Sequence, residues 1–418
     1  MGQVMSSNLE SEDINWWSLI SNKNYLENPY PKLKELQKLG PIHLDKKTGI
    51  YFVLGHHEFG LIARSSKMGR DTRLWREGWF NPDNKVSDPT SYELFSEFQS
   101  QMIMMNEPDH GRMRSVYQQA FKPSAVATIR PMIERETDLL LEQLVATNNI
   151  DLIDNFAAPL PLRVLRNLLE IPADMDQDMQ RWSASLIKIG DVMMTQEQKV
   201  EALLALREFK YYLRDHIKYY RASHQNTLMN SVISAFENGF MNEQETLTNL
   251  MSMLVAGHET TVTLIGNGML SLLRHSDQRN LLISNPILIE TAIDEFLRYE
   301  PGGNMILRIA IEDFELDGIT IPAGSMAIGM VGAINRDPLR FNQADILDIQ
   351  RKPNPHFTYG AGIHICIGAP LAHLESEIAF NKILKQFPQI ELSGEPVWRL
   401  DRLNARGLKT LPVRLRIN

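Results

Sequence analysis

The stretch Phe357-Thr358-Tyr359-Gly360-Ala361-Gly362-Ile363-His364-Ile365-Cys366-Ile367-Gly368 holds the only cysteine of a 418-residue chain, in a glycine-rich loop that runs into a helix. Without a second thiol, Cys366 cannot close an intramolecular disulfide, and alone it cannot supply a four-cysteine zinc or iron–sulfur site. One cysteine is enough for the axial position of a haem iron. The following helix is expected to start near Gly368 and Pro370, because proline is tolerated in a first turn, where its missing N–H would be unpaired. Free backbone N–H groups and the positive end of the helix dipole would then lie beside the sulfur and favour thiolate. The other reading of a single cysteine is a small buried hydrophobe, and the thiol by itself does not choose between the two.

The neighbouring residues do choose. Phe357, Gly360, Gly362, His364, Cys366 and Gly368 at these spacings resemble the haem-binding loop of the cytochrome P450 family, which usually has leucine where this chain has Ile367. The resemblance implies a mainly α fold with a smaller β-rich lobe and a long central helix over haem b. Cys366 would be the axial ligand of the iron, with Phe357, Gly360, His364 and Gly368 shaping the cofactor loop.

A formal net charge of −8 argues against general affinity for nucleic acid. Residues 1–30 are polar and lack the basic-then-apolar pattern of a signal peptide. No stretch reaches the roughly 18 uncharged apolar residues of a membrane-spanning helix. A cytoplasmic monomer without nucleic-acid or membrane partners is expected.

Residues 1–14 read as a flexible leader and 15–418 as one domain, since no repeat, low-complexity tract or linker divides them. Apolar residues at three- and four-residue spacing predict helices near 31–39, 109–121, 124–147, 157–170, 175–190, 197–223 and 243–275. A further helix ends near Tyr299. Strands are expected at Ile50–Leu54, Ile319–Gly324 and Met326–Val331, with turn glycines between the elements.

Within the longest helix lies Ala256-Gly257-His258-Glu259-Thr260-Thr261. Mid-helix glycine costs about 1 kcal/mol relative to alanine, and Thr260 can bond back to the carbonyl of Ala256, so a local distortion is expected. A polar patch satisfied by its neighbours would look the same. A zinc-protease motif is excluded, because the second histidine would fall at 262, which is Val262. By resemblance, the helix opens here over the haem, Ala256 and Gly257 border the cofactor, and Glu259 and Thr260 relay protons toward dioxygen; His258 is read as structural.

Glu295 and Arg298 share one helix face, which alone could be an ordinary surface pair. The resemblance makes them the Glu-x-x-Arg pair that supports the thiolate loop from behind, with Arg351 as the third charged partner. Burying two haem propionates requires cationic donors. His110 and Arg114, one helical turn apart, together with Arg308 and His364, match the positions that hold propionates in soluble bacterial members, whereas Arg112 is expected to face solvent.

The resemblance implies reductive activation of dioxygen, with one oxygen atom inserted into a C–H bond or alkene of a substrate. The chain lacks a Rossmann Gly-x-Gly-x-x-Gly and an iron–sulfur cysteine set. Electrons from NAD(P)H would therefore arrive through separate partners, a ferredoxin or flavodoxin with its reductase, docking near the Cys366 loop. The segments 68–105 and 187–198 are rich in methionine and aromatic residues and would roof a substrate pocket, with Met104, Met105 and Val192 among its lining. Asn304, Met305, Ile306 and Leu408 would complete it, although core packing explains such residues equally well. The nearest likeness within the family is to macrolide- and polyketide-tailoring hydroxylases. Fatty-acid or terpenoid hydroxylation comes second; a peroxide-driven peroxygenase and a non-enzymatic haem sensor or carrier are the alternatives.

Overall fold

The computed structural model describes residues 14–76, 78, 87–145, 148–190, 194–219 and 228–416. Val192 and residues 1–13 of the expected leader lie outside these. The first strands, Ile42–Asp45 (β1) and Ile50–Val53 (β2), form an antiparallel hairpin. They join Met68–Gly69 (β3), Met305–Ala310 (β4) and Met326–Met330 (β5) in one five-stranded sheet of order β1-β2-β5-β4-β3. Period-two alternation divides its two faces. Ile50, Phe52, Ile309 and Ile328 enter one apolar cluster, whereas Tyr51, Val53, Ala310 and Ala327 enter another with Phe59 and Phe357. Trp16 stacks on Phe52 at 4.1 Å and seals the first cluster.

The rest is mainly helical. Asp109–Gln118 (α1) and Pro159–Leu168 (α2) precede the 32-residue Glu243–Arg274 helix (α3), which is followed by Ile289–Tyr299 (α4) and Ala369–Gln386 (α5). Most side chains of α3 are buried, and α3 packs on both α2 and α5, so it runs through the largest apolar core. Its start is fixed by a capping box in which Asn242 and Glu245 each satisfy the other's backbone N–H.

Two expected boundaries moved. The segment 124–147 is split into Pro123–Thr128 and Arg130–Leu144, because Pro131 has no N–H to continue a helix and is accommodated only in a new first turn. A π-helical turn, Ile153–Ala157, leads into α2, and the expected 157–170 helix begins only at Pro159. The central helix is α-helical from end to end, so Gly257 and Thr260 do not interrupt it. Among the described residues, no helix is long and apolar enough to cross a membrane.

Candidate active site

Two glycines make the Cys366 loop possible. Gly360 and Gly362 have φ of +70° and +71°, which an L side chain rarely adopts, and a Cβ on Gly362 would come within 2.5 Å of the Ala63 carbonyl oxygen. The loop is closed by Gly360 N–H donating to the Phe357 carbonyl at 2.7 Å and Cys366 N–H donating to the Tyr359 carbonyl at 2.9 Å. Phe357, expected to border the cofactor, is buried against Phe59 and His56 and anchors the loop to the sheet lobe.

Helix α5 begins immediately after Gly368, as expected, and the backbone N–H groups of Gly368 and Ala369 favour the thiolate form of Cys366. They do not outweigh burial, which pushes the thiol up; Arg114 opposes it more weakly. The side chain is solvent-accessible yet lies deep among protein atoms. A coordinated metal ion would override this balance, since a ligating thiol is deprotonated outright.

Around the loop stand cations with few anions. Arg114 donates to the Ile365 carbonyl at 2.8 Å and Arg308 to the Ala361 carbonyl at 3.2 Å. The rings of His110 and His364 lie 4.2 Å apart. Burial lowers His364 to about 2, helped by the positive fields of Arg70, His110, Arg308 and Arg114. Burial and Arg70 push Arg308 down to about 9. Arg70 Nε, Arg308 Nε and His364 Nε2 are all buried without a hydrogen-bond partner. Such donors normally have partners, and clustering them is costly. Glu107, which reaches His110 at 3.2 Å, is a lone and half-exposed counter-charge. This donor set fits the two propionates of haem. Arg70 was not anticipated: it follows β3, whose Gly69 pairs with Ile309, and only that pairing brings it beside Arg308.

On α3, Ala256 and Thr260 present exposed side chains one turn apart, and Thr260 Oγ1 donates to the Ala256 carbonyl at 2.5 Å. A Cβ on Gly257 would meet Leu165 at 3.0 Å, so its smallness serves the approach of α2. Both ring nitrogens of His258 are used, on Ser183 Oγ at 2.9 Å and the Ala158 carbonyl at 3.1 Å, in agreement with a structural role. Glu259 is not free. Arg402 Nη1 donates to its Oε2 at 2.7 Å, with both side chains buried.

Behind the loop, Arg298 Nε and Nη2 donate to the two carboxylate oxygens of Glu295, each at 2.8 Å, and Arg351 Nε reaches the same carboxylate at 3.1 Å. Two unanticipated asparagines carry this network forward. Asn354 donates to Glu295 at 3.1 Å, and Asn335, whose carbonyl receives Arg298, accepts the Phe357 N–H on its side chain at 2.8 Å. Arg112, expected to face solvent, is instead held by Glu245 and the Phe240 carbonyl.

Several of the expected substrate-lining residues pack on different apolar clusters. Met104 and Met105 are half-buried, and Met105 packs on the main core together with the buried Leu408. Asn304 and Met305 are tied to a C-terminal segment: Asn304 Nδ2 donates to the Leu403 carbonyl at 2.8 Å and Met305 N–H to Asn404 Oδ1 at 3.0 Å. Ile306 packs on the Phe59–Phe357 cluster.

Residues 282–417 match the family model described as "Cytochrome P450". The chain is 33% identical over 400 residues to the biotin biosynthesis cytochrome P450 of Bacillus subtilis (strain 168), covering 95% of this chain and 98% of that protein. It is 40% identical over 321 residues to the polyketide biosynthesis cytochrome P450 PksS of the same organism, covering 75% and 77%. The crystal structure of P450BioI in complex with hexadec-9Z-enoic acid ligated acyl carrier protein superposes with a TM-score of 0.86 at 31% identity, over 94% of this chain and all of that one. With the thiolate loop, its buried support and these similarities in agreement over nearly the whole length, this chain belongs to the cytochrome P450 family.

Proposed function

We propose that this chain is a haem-thiolate monooxygenase acting on a large, mostly apolar molecule of the polyketide or fatty-acyl class, with electrons supplied by a separate ferredoxin or flavodoxin. The observation that carries the reading is the pairing of one loop cysteine with a cluster of donor side chains, Arg70, His110, Arg114, Arg308 and His364, in which Arg70 Nε, Arg308 Nε and His364 Nε2 are buried without a hydrogen-bond partner. These would hold the propionates of haem, and Cys366 would furnish the thiolate. When bound there, haem supplies reductive activation of dioxygen, which places one oxygen atom in the substrate and releases the other as water.

The residues of the chain then have distinct tasks. Glu295, Arg298, Arg351, Asn335 and Asn354 hold the loop so that the Cys366 sulfur keeps its position. Thr260 and Glu259 lie next to each other on α3 and would hold and pass protons on the face opposite the loop. Burial of α3 limits bulk water to what those polar side chains admit.

Support for a polyketide comes from the likeness to the polyketide biosynthesis enzyme PksS. Support for a fatty-acyl substrate, delivered on a carrier protein, comes from the relative that was crystallised with an acylated carrier protein. Turnover of hexadec-9Z-enoyl carrier protein and of a macrolactone, compared side by side with a surrogate ferredoxin system, separates the two. Replacement of Thr260 by alanine tests the mechanism. Thr260→Ala should divert reduced oxygen to hydrogen peroxide. Fast turnover with added hydrogen peroxide that is indifferent to Thr260→Ala would replace the monooxygenase reading by a peroxygenase.

A further inference from the structure

The buried Glu259–Arg402 pair joins the central helix to a segment that is otherwise stitched to the candidate substrate residues. Arg402 lies between Val397–Trp398 (β6) and Leu408–Thr410 (β7). One end of the segment is fixed. Arg406 pairs with Glu300 at 2.7 Å, lies over the Trp398 ring at 3.8 Å and donates to the Glu27 carbonyl at 2.9 Å. Its middle follows the entrance to β4: Asn304 N–H donates to the Asn404 carbonyl at 2.8 Å, Asn404 Oδ1 accepts Met305 N–H, Leu403 accepts Asn304 Nδ2, and Ala405 bridges to Gly303. Arg402 therefore has its neighbours bound to residues 303–305 while its own head reaches α3.

That head makes a single hydrogen bond to Glu259, and Arg402 Nε is buried without a partner. Other charges facing Glu259 are few: His258 beside it on α3, held neutral by burial, and Arg399 from the same C-terminal segment. Burial favours the neutral acid, and Arg402 is the largest influence opposing it, so the guanidinium decides which form Glu259 takes.

We propose that Arg402 is a positioning residue that keeps Glu259 as the carboxylate, and that the contacts of Leu403 and Asn404 with Asn304 and Met305 let the substrate side of the protein loosen that hold. The inference rests on the reading of Glu259 as a proton-relay group. With the pair closed, Glu259 has no proton to give. When residues 303–305 shift, Arg402 withdraws, Glu259 is protonated by hydronium from the solvent with release of water, passes that proton on toward Thr260, and returns as carboxylate to Arg402.

Infrared titration of the carboxylic C=O band, assigned by its loss in Glu259→Gln, reads this on the purified holoenzyme without turnover. The wild type should protonate Glu259 only well into the acid range. Arg402→Gln, which keeps the shape without the charge, and Arg402→Ala should both raise the midpoint by about 1–3 pH units, and Arg402→Lys should restore it. Asn304→Ala and Asn404→Ala should raise it by a smaller amount. An unchanged midpoint in Arg402→Gln overturns the hold, and an unchanged midpoint in both asparagine variants overturns the link. The relay reading fails separately, if Glu259→Gln leaves the ratio of hydrogen peroxide formed to oxygen consumed at its wild-type value.

Discussion

Arg298 and Glu295 form a two-pronged pair in which neither side chain has any solvent exposure, and the remaining donors of Arg298 end on the carbonyls of Asn335, Ala344 and Ile346. Removing one partner of such a pair leaves a buried charge uncompensated and costs about 3–5 kcal/mol. Arg298→Ala should therefore lower the denaturant midpoint strongly. Arg298→Lys should recover only part, because an ammonium cannot reproduce the planar fork. Urea unfolding of the two variants checks the order.

Asn335 transmits that pair to the loop, since its fully buried side chain accepts the Phe357 N–H and donates to Thr358 Oγ1 at 2.8 Å. Asn335→Ala should cost about 1–3 kcal/mol through the unsatisfied Phe357 amide. The cost should fall on the loop first. Hydrogen exchange should show earlier opening of residues 357–366 than of α3.

The cation cluster predicts effects of opposite sign for the protein with and without haem. Losing a charge-assisted hydrogen bond of about 1.5–3 kcal/mol should speed haem transfer from Arg308→Ala and Arg70→Ala to an acceptor globin by roughly 10- to 100-fold. In the haem-free protein either change relieves the repulsion between Arg70 and Arg308, so its thermal midpoint should stay level or rise. Faster haem transfer accompanied by a clearly lower thermal midpoint of the haem-free protein would make these arginines structural only.

Glu375, on α5, is almost fully buried, its Oε2 has no hydrogen-bond partner, and burial pushes its carboxyl up to about 8. The unfolded chain releases this proton near pH 4.3, whereas the folded chain keeps it to about 8. Over that window the native state binds more protons, so stability falls as pH rises, by a few kcal/mol in all at a linkage of about 1.4 kcal/mol per pH unit. Glu375→Gln should flatten that slope and stabilise the protein above pH 8. Urea midpoints from pH 5 to 9 provide the test.

What the sequence disclosed follows the range of the interaction. The Cys366 loop and the Glu295–Arg298 pair are local motifs, so the family resemblance could locate both from glycine positions and a three-residue spacing. The long α3 was legible from its apolar content, and the start of α5 from Pro370. Arg70, Asn335 and Arg402 were not legible. Each works through a partner far along the chain, from a strand end or an irregular segment where no periodicity marks a face: Arg402 meets Glu259 across 143 positions. Phe357 was assigned to the right motif, but its packing on Phe59 depends on where the sheet lobe sits. The close approach of Leu165 to Gly257 was not legible either, because only the crossing of α2 and α3 creates that contact.

Ligation of haem iron by the Cys366 thiolate is tested by reducing the purified haem-loaded protein under carbon monoxide. A strongly red-shifted Soret absorption that is lost in Cys366→His is the result expected here. A spectrum of the histidine-ligated type in the wild-type protein would contradict it.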